Sequence, residues 1–133
     1  MKYFFFSIVL LFLFSCKKNS GSLTPVQLQH DGLSSPTLPM DNVLTEEGIE
    51  LGRMLFYEKE LSKDGTMSCA TCHVQRFAFS DTNRFSTGVD GLKGKRQAMA
   101  VFNMAWNNNA FFWDGRAHFL RDQALLPIQD PLE

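Results

Sequence analysis

Charge of one sign is what this sequence most lacks. Across 133 residues, 13 Lys and Arg stand against 14 Asp and Glu, a net charge of −1. No basic face for a nucleic acid is written into it, so no nucleic-acid partner is expected. The one close basic group outside the N-terminus, Lys93, Lys95 and Arg96, reads as a solvated loop. No stretch alternates apolar and polar residues over any length, and no segment repeats, so nothing predicts a sheet or a repeat array. Long apolar runs are missing too. The run from Tyr3 to Phe14 would span about 18 Å as a helix, against roughly 30 Å of bilayer hydrocarbon. Cysteine is sparse, with three residues, too few for a disulfide framework.

The short apolar run has another use. Lys2 precedes it and Leu13-Phe14-Ser15-Cys16 follows, the layout of a secretory signal, and these last four residues resemble the lipobox of bacterial lipoproteins. Residues 1–16 are therefore expected to be a signal peptide, with Cys16 carrying lipid and anchoring the protein to a membrane of the cell envelope, on the periplasmic side. Residues 17–41 are rich in Ser, Gly and Thr and are interrupted by Pro25, Pro36 and Pro39. They read as a flexible tether, with His30 solvated inside it. A single domain over residues 42–133 remains.

Within that domain Thr45 caps a helix that opens with Glu46 and Glu47 and carries Leu51, Met54 and Leu55 at helical spacing. The pattern predicts a helix over about 46–57. Ser62 to Gly65 form a turn. Asp81, Asn83, Gly88, Asp90, Gly91 and Gly94 make residues 77–96 a long loop, a kind of segment that in compact domains is usually functional. A last helix is expected from about Asp114 to Leu126, ended by Pro127. The predicted fold class is all-α with long loops.

The loop and first helix flank "SCATCH", Ser68 to His73. Two cysteines three apart, followed at once by histidine, fit three chemistries. Structural zinc needs four ligands, usually two Cys or His pairs, and the other histidines lie in the tether and in the last predicted helix. A redox dithiol is usually set between a strand and a helix of a parallel sheet. Covalent haem uses every residue of the motif: Cys69 and Cys72 add to the two vinyl groups, and His73 reaches the iron as proximal axial ligand. Export agrees, because c-type haem is attached outside the cytoplasm. A macrocycle would also supply apolar surface for Phe77, Phe79, Phe85, Met99, Val101, Phe102, Phe111 and Phe112 to enclose, which a domain this small needs.

From about Thr45 onward the sequence resembles the bacterial di-haem cytochrome c peroxidases and their MauG-like relatives. The landmarks stand in the family's order: "LGRMLFYEKELS", "SCATCH", "FSD", Gly94-Lys95-Arg96, "FWDGRA" from Phe112 to Ala117, then Gln123, Pro127 and "DPLE". The resemblance covers the family's N-terminal, peroxidatic haem domain. It implies a cytochrome c-like fold, one haem c in this chain, and a second haem in a domain expected beyond Glu133. It further implies that Trp113 lies on the electron route to that second haem, and that Gln123 and Glu133 line the distal side where hydrogen peroxide binds. Its implied partners are hydrogen peroxide and a small electron-donor protein, cytochrome or cupredoxin, with a homodimer in the full-length form.

Two departures stand out. Some family members place a histidine in the loop after the haem motif, whereas Val74 to Gln97 contains none, which suggests an open sixth position. Family members often have Asn directly after the arginine of the Gly-Lys-Arg block as a calcium contact, and here it is Gln97, so calcium is a cofactor the resemblance allows without its usual ligand. Three functions follow: reduction of hydrogen peroxide to water, MauG-like oxidation of a protein substrate, or a mono-haem electron carrier using Met99 or Met104 as sixth ligand.

Overall fold

The computed structural model of the chain describes residues 21–132. The expected signal peptide, Cys16, where lipid is expected, and Glu133, expected on the distal side, lie outside the described residues.

Helix α1, Glu46–Tyr57, has the bounds the sequence predicts. Thr45 stays extended, and its Oγ1 accepts the N–H of Gly48 at 3.0 Å, satisfying one of the donors a helix start leaves open. The face turned to the domain is not the expected one. Leu51, Met54 and Leu55 are 56%, 62% and 44% exposed, while half-buried Phe56 faces inward with Gly52, Arg53 and Tyr57 around a cleft.

Helix α2 is a single turn, Cys69–Cys72. Helix α3 spans Leu120–Ile128 and so begins later than predicted. Asp114 to Ala117 belong instead to a tight loop closed by an antiparallel bridge between Phe111 and Ala117, where Phe111 N–H donates to the Ala117 carbonyl at 2.7 Å. Pro127 also lies inside the last turn rather than after it. Its missing N–H leaves the Gln123 carbonyl without its usual i+4 donor, and the helix ends one residue later.

The rest is loop. The described residues hold no strand, only four isolated antiparallel bridges. The three α-helices of the described residues run 12, 4 and 9 residues, so the described part is helix-poor where an all-α domain was expected. The long loops are as predicted: residues 78–103 contain one 3₁₀ turn, Val89–Gly91. No helix among the described residues is long and apolar enough to cross a membrane.

The segment read as a tether carries many contacts in its described part. Thr24 takes both oxygens of Glu47, at 3.0 Å through its N–H and 2.9 Å through its hydroxyl. Val26 N–H donates to Leu44 O and Glu46 N–H to Thr24 O, both at 2.9 Å. Trp106 Nε1 donates to the Ser34 carbonyl at 2.6 Å, with the ring of His30 edge-on to its indole at 6.1 Å. Arg121 on α3 reaches Asp41 at 2.7 Å. Residues 24–45 thus run as a strap over the domain. Beneath it the core is thin. Met67, Val89, Phe111 and Ala117 are the buried apolar residues, and no large side chain among the described residues is fully buried.

Candidate functional site

The cysteine turn is assembled from short local bonds. Asp64 accepts the N–H of Thr66 at 3.0 Å, and Ser62 Oγ accepts that of Met67 at 3.2 Å, which steers the chain out of the 62–65 turn. Ser68 N–H then donates to Thr71 Oγ1 at 3.0 Å and starts α2. Positions three apart on a helix share a side, so half-buried Cys69 and Cys72 face the same way. His73 closes the turn with its N–H on the Cys69 carbonyl at 2.9 Å and leaves the helix at φ −99°, ψ 75°.

His73 is oriented by a backbone group. Its Nδ1 lies 3.1 Å from the carbonyl of Phe79. A carbonyl can only accept, so Nδ1 carries the proton and the Nε2 lone pair is left for a metal, the arrangement typical of ligating histidines. The carbonyl reaches that place through a strained reversal. Ala78 and Phe79 both have positive φ, 56° and 55°, a conformation that costs a non-glycine residue roughly 1–2 kcal/mol. Val74 and Ser80 clasp the loop, with Val74 N–H on Ser80 O at 3.2 Å and Phe79 N–H on Val74 O at 3.0 Å.

Beside the imidazole opens a cleft of about 450 Å³ lined by Gly52, Arg53, Phe56, Tyr57, Gln75, Phe79 and Val101. The ring of Phe56 lies 6.4 Å from His73 and 6.1 Å from Phe79. Of the aromatics expected around a macrocycle, Phe79 and Val101 line this cleft and Phe111 is buried. Phe77, Phe85, Met99 and Phe102 remain 38–51% exposed. On the other side of Cys69, Pro127 and Ile128 of α3 come up against Leu61 and Met67.

The "WDGRA" block forms a second constellation. Gly115 adopts φ 69° to make the turn, and Phe112 is forced to 64°. The guanidinium of Arg116 lies 3.5 Å over the Phe112 ring, a cation–π contact. Asp114 is held between Arg116 at 2.9 Å and Arg96 at 3.1 Å. Partial desolvation pushes its carboxyl up, but the two arginines outweigh this and its net shift is downward. Arg96, read from sequence as part of a solvated loop, is therefore engaged. Trp113 is 61% exposed, and its Nε1 donates to the Gln97 carbonyl at 3.0 Å. Gln123 is half-buried on α3. None of the described hydrogen bonds or ring contacts links Trp113 or Gln123 to His73.

Sequence reasoning missed the Phe79 carbonyl, for which no side-chain signal exists. It also missed Phe56, which the spacing to Gly52 marks as a separate helical face. Gln97 was weighed only as a calcium contact, and its side-chain amide in fact donates to the Asp81 carbonyl at 2.6 Å.

Two cysteines on one turn, a histidine whose Nδ1 is committed to a backbone carbonyl, and an aromatic-lined cleft alongside fit the class of protein that holds haem through thioether bonds. The profile of the di-haem cytochrome c peroxidases matches residues 46–133. Methylamine utilization protein MauG of Methylorubrum extorquens is 42% identical over 95 residues, covering 71% of this chain and 27% of that protein. Cytochrome c551 peroxidase of Pseudomonas aeruginosa is 41% identical over 90 residues, 68% of this chain and 26% of that one. The crystal structure of a MauG-like protein associated with microbial copper homeostasis superposes with a TM-score of 0.64 at 39% identity, over 69% of this chain and 28% of that one. The chain belongs to the di-haem cytochrome c peroxidase family, and it spans about a quarter of the length of these relatives.

Proposed function

We propose that this chain is the peroxidatic haem portion of an exported, lipid-anchored di-haem peroxidase that reduces hydrogen peroxide to water with electrons from a small redox protein, a cytochrome or a cupredoxin. The observation that carries the reading is His73, which directly follows Cys72 and whose Nδ1 is engaged 3.1 Å from the Phe79 carbonyl, leaving Nε2 as the nitrogen able to ligate a metal. In this reading Cys69 and Cys72 hold haem c covalently and His73 is the proximal ligand. Bound haem would supply the iron that takes up peroxide and delivers electrons to its O–O bond. Trp113 stands on the electron route toward a second haem in the remainder of such a protein. Gln123 and Glu133 border the distal side. There the Glu133 carboxyl would carry a proton from one oxygen of hydrogen peroxide to the other, which leaves as water. Two electrons and two protons per peroxide close the balance at two waters.

The likeness to MauG proteins supports a second reading, in which the same oxidising power is spent on a protein side chain. The test is made in the protein extended by its second haem domain. Glu133→Gln is expected to lower peroxide turnover by roughly 10² to 10⁴, the usual worth of a general acid-base group, with haem content unchanged. Full turnover in that variant would sink the role of Glu133. Peroxide-dependent oxidation of a protein, with no turnover on reduced cytochrome or cupredoxin, would favour the second reading.

A further inference from the structure

Trp113 has little packing to hold it. At 61% exposed its indole has less packing than a buried ring to select one rotamer, yet an aromatic on an electron route must keep a set place and plane. Its described polar contact is the Nε1–H bond to the Gln97 carbonyl, 3.0 Å long and joining residues 16 apart in sequence. We infer that Gln97 is a positioning residue for Trp113, its side chain anchoring the backbone carbonyl on which the indole hangs. The functional half of this inference rests on the reading of Trp113 given above.

The anchor can be followed inward. Nε2 of Gln97 donates to the Asp81 carbonyl at 2.6 Å. Asp81 is buried, and its Oδ1 accepts both the N–H of Asn83 at 2.8 Å and its side-chain amide at 2.9 Å. The far end of the tie therefore sits on one of the few buried residues of the domain. On the near side, Ala98 N–H donates to Ser86 Oγ at 3.1 Å, and Arg96 pairs with Asp114 at 3.1 Å. Residues 96 and 97 thus tie residues 114 and 113, two adjacent links between the long loop and the "WDGRA" turn. The chemistry of Gln97 is specific. Asn is shorter by one methylene and falls short of Asp81 from the same backbone. Glu sets a carboxylate acceptor against a carbonyl acceptor and repels it.

The chain contains two tryptophans, and Trp106 is tied elsewhere, to the Ser34 carbonyl, so it serves as an internal control. In haem-loaded chain labelled with fluorotryptophan, each fluorine resonance is assigned by replacing its tryptophan with Phe. Gln97→Ala and Gln97→Glu are expected to shift and broaden the Trp113 resonance and leave that of Trp106 in place. An unmoved Trp113 resonance overturns the inference. Should the alanine variant lose haem, Gln97→Met, similar in length but without the amide, carries the same comparison. In the form with both haem domains, Gln97→Ala is expected to lower peroxide turnover by about tenfold to a hundredfold, the scale of an ångström-sized misplacement. In a Trp113→Phe background it should lower it no further. Equal losses in the two backgrounds would show that Gln97 acts by another route and overturn the inference. Absence of turnover in every form would fail the peroxidase reading, while the resonances still decide the tie.

Discussion

His73 has two ring nitrogens, and the fold commits one of them to the Phe79 carbonyl. That commitment depends on Ala78 and Phe79 both holding positive φ, so strain is stored in the turn that carries the accepting carbonyl, as is common where geometry serves a site. The strain makes an unusual stability prediction. Ala→Gly ordinarily destabilises by about 0.4–1 kcal/mol through the freer unfolded chain. At position 78 relief of roughly 1–2 kcal/mol of left-handed strain opposes it. Ala78→Gly is therefore expected to leave stability level or raise it by up to about 1.5 kcal/mol, read by denaturant titration. A loss above about 1 kcal/mol would mean that the turn is held by the alanine methyl rather than against it.

Two elements are set by contacts distant in sequence. Gly88 approaches the chain near its C-terminal end so closely that a Cβ there would collide with the Leu132 carbonyl oxygen, which accepts the N–H of Val89 at 2.7 Å. Gly88→Ala must push Leu132 away and lose that bond. The expected cost is about 1–3 kcal/mol and, on the proposed role of Glu133, reduced peroxide turnover in a form that carries a second haem domain, because Leu132 immediately precedes Glu133. Unchanged stability and turnover would show that the approach is dispensable. The strap over residues 24–45 is fastened by acids. The Thr24 backbone N–H, chiefly, and then its hydroxyl hold Glu47 below its ordinary 4.5, and Arg121, by hydrogen bond and then by charge, holds Asp41 below its ordinary 3.8. A carboxylate whose pKa is lowered by folding adds stability that is fully present above the ordinary value and is lost as pH falls through the folded one. The strap is expected to hold at neutral pH and to loosen progressively below about pH 4.5. Trp106 reports it, since its indole bonds Ser34 within the strap: its fluorescence should change over that acid range before the domain unfolds. A change centred at neutral pH would contradict this account.

At the scale of the molecule the shortage is of core. Fully burying a Leu or Phe side chain is worth roughly 1.5–3 kcal/mol, and no large side chain among the described residues achieves it. Leu51 and Met54 on α1 and Leu125 on α3 are all more than half exposed. The cleft beside His73 is where added apolar surface would do most. Chain with haem attached is expected to unfold in one cooperative transition. The Cys69→Ala/Cys72→Ala variant should lose haem staining on a denaturing gel and unfold gradually, without a sharp midpoint. An equally cooperative transition in that variant would show that the protein part is a sufficient core on its own.

Much of this was legible from local chemistry. The cap at Thr45 and the acids behind it set the start of α1, the Cys-x-x-Cys-His spacing set the ligand turn, and the glycines and aspartates of residues 77–96 set a long loop, all because each signal acts within a few residues. The predicted start of the last helix failed for a tertiary reason: Asp114 and Arg116 are drawn into a turn by Arg96 and by the Phe111–Ala117 bridge, and the helix waits until Leu120. Composition makes residues 17–41 a tether, while Trp106, Glu47 and Arg121, distant partners invisible to composition, bind Ser34, Thr24 and Asp41 in its described part. The apolar stripe of α1 was found, but which face turns inward was decided by the cleft around Phe56. The sequence alone determined which residues could ligate and where the chain must turn. Only the tertiary structure decided which backbone carbonyl orients His73 and which one holds Trp113, because a carbonyl is the same at every residue and acquires a role only from what the fold sets opposite it.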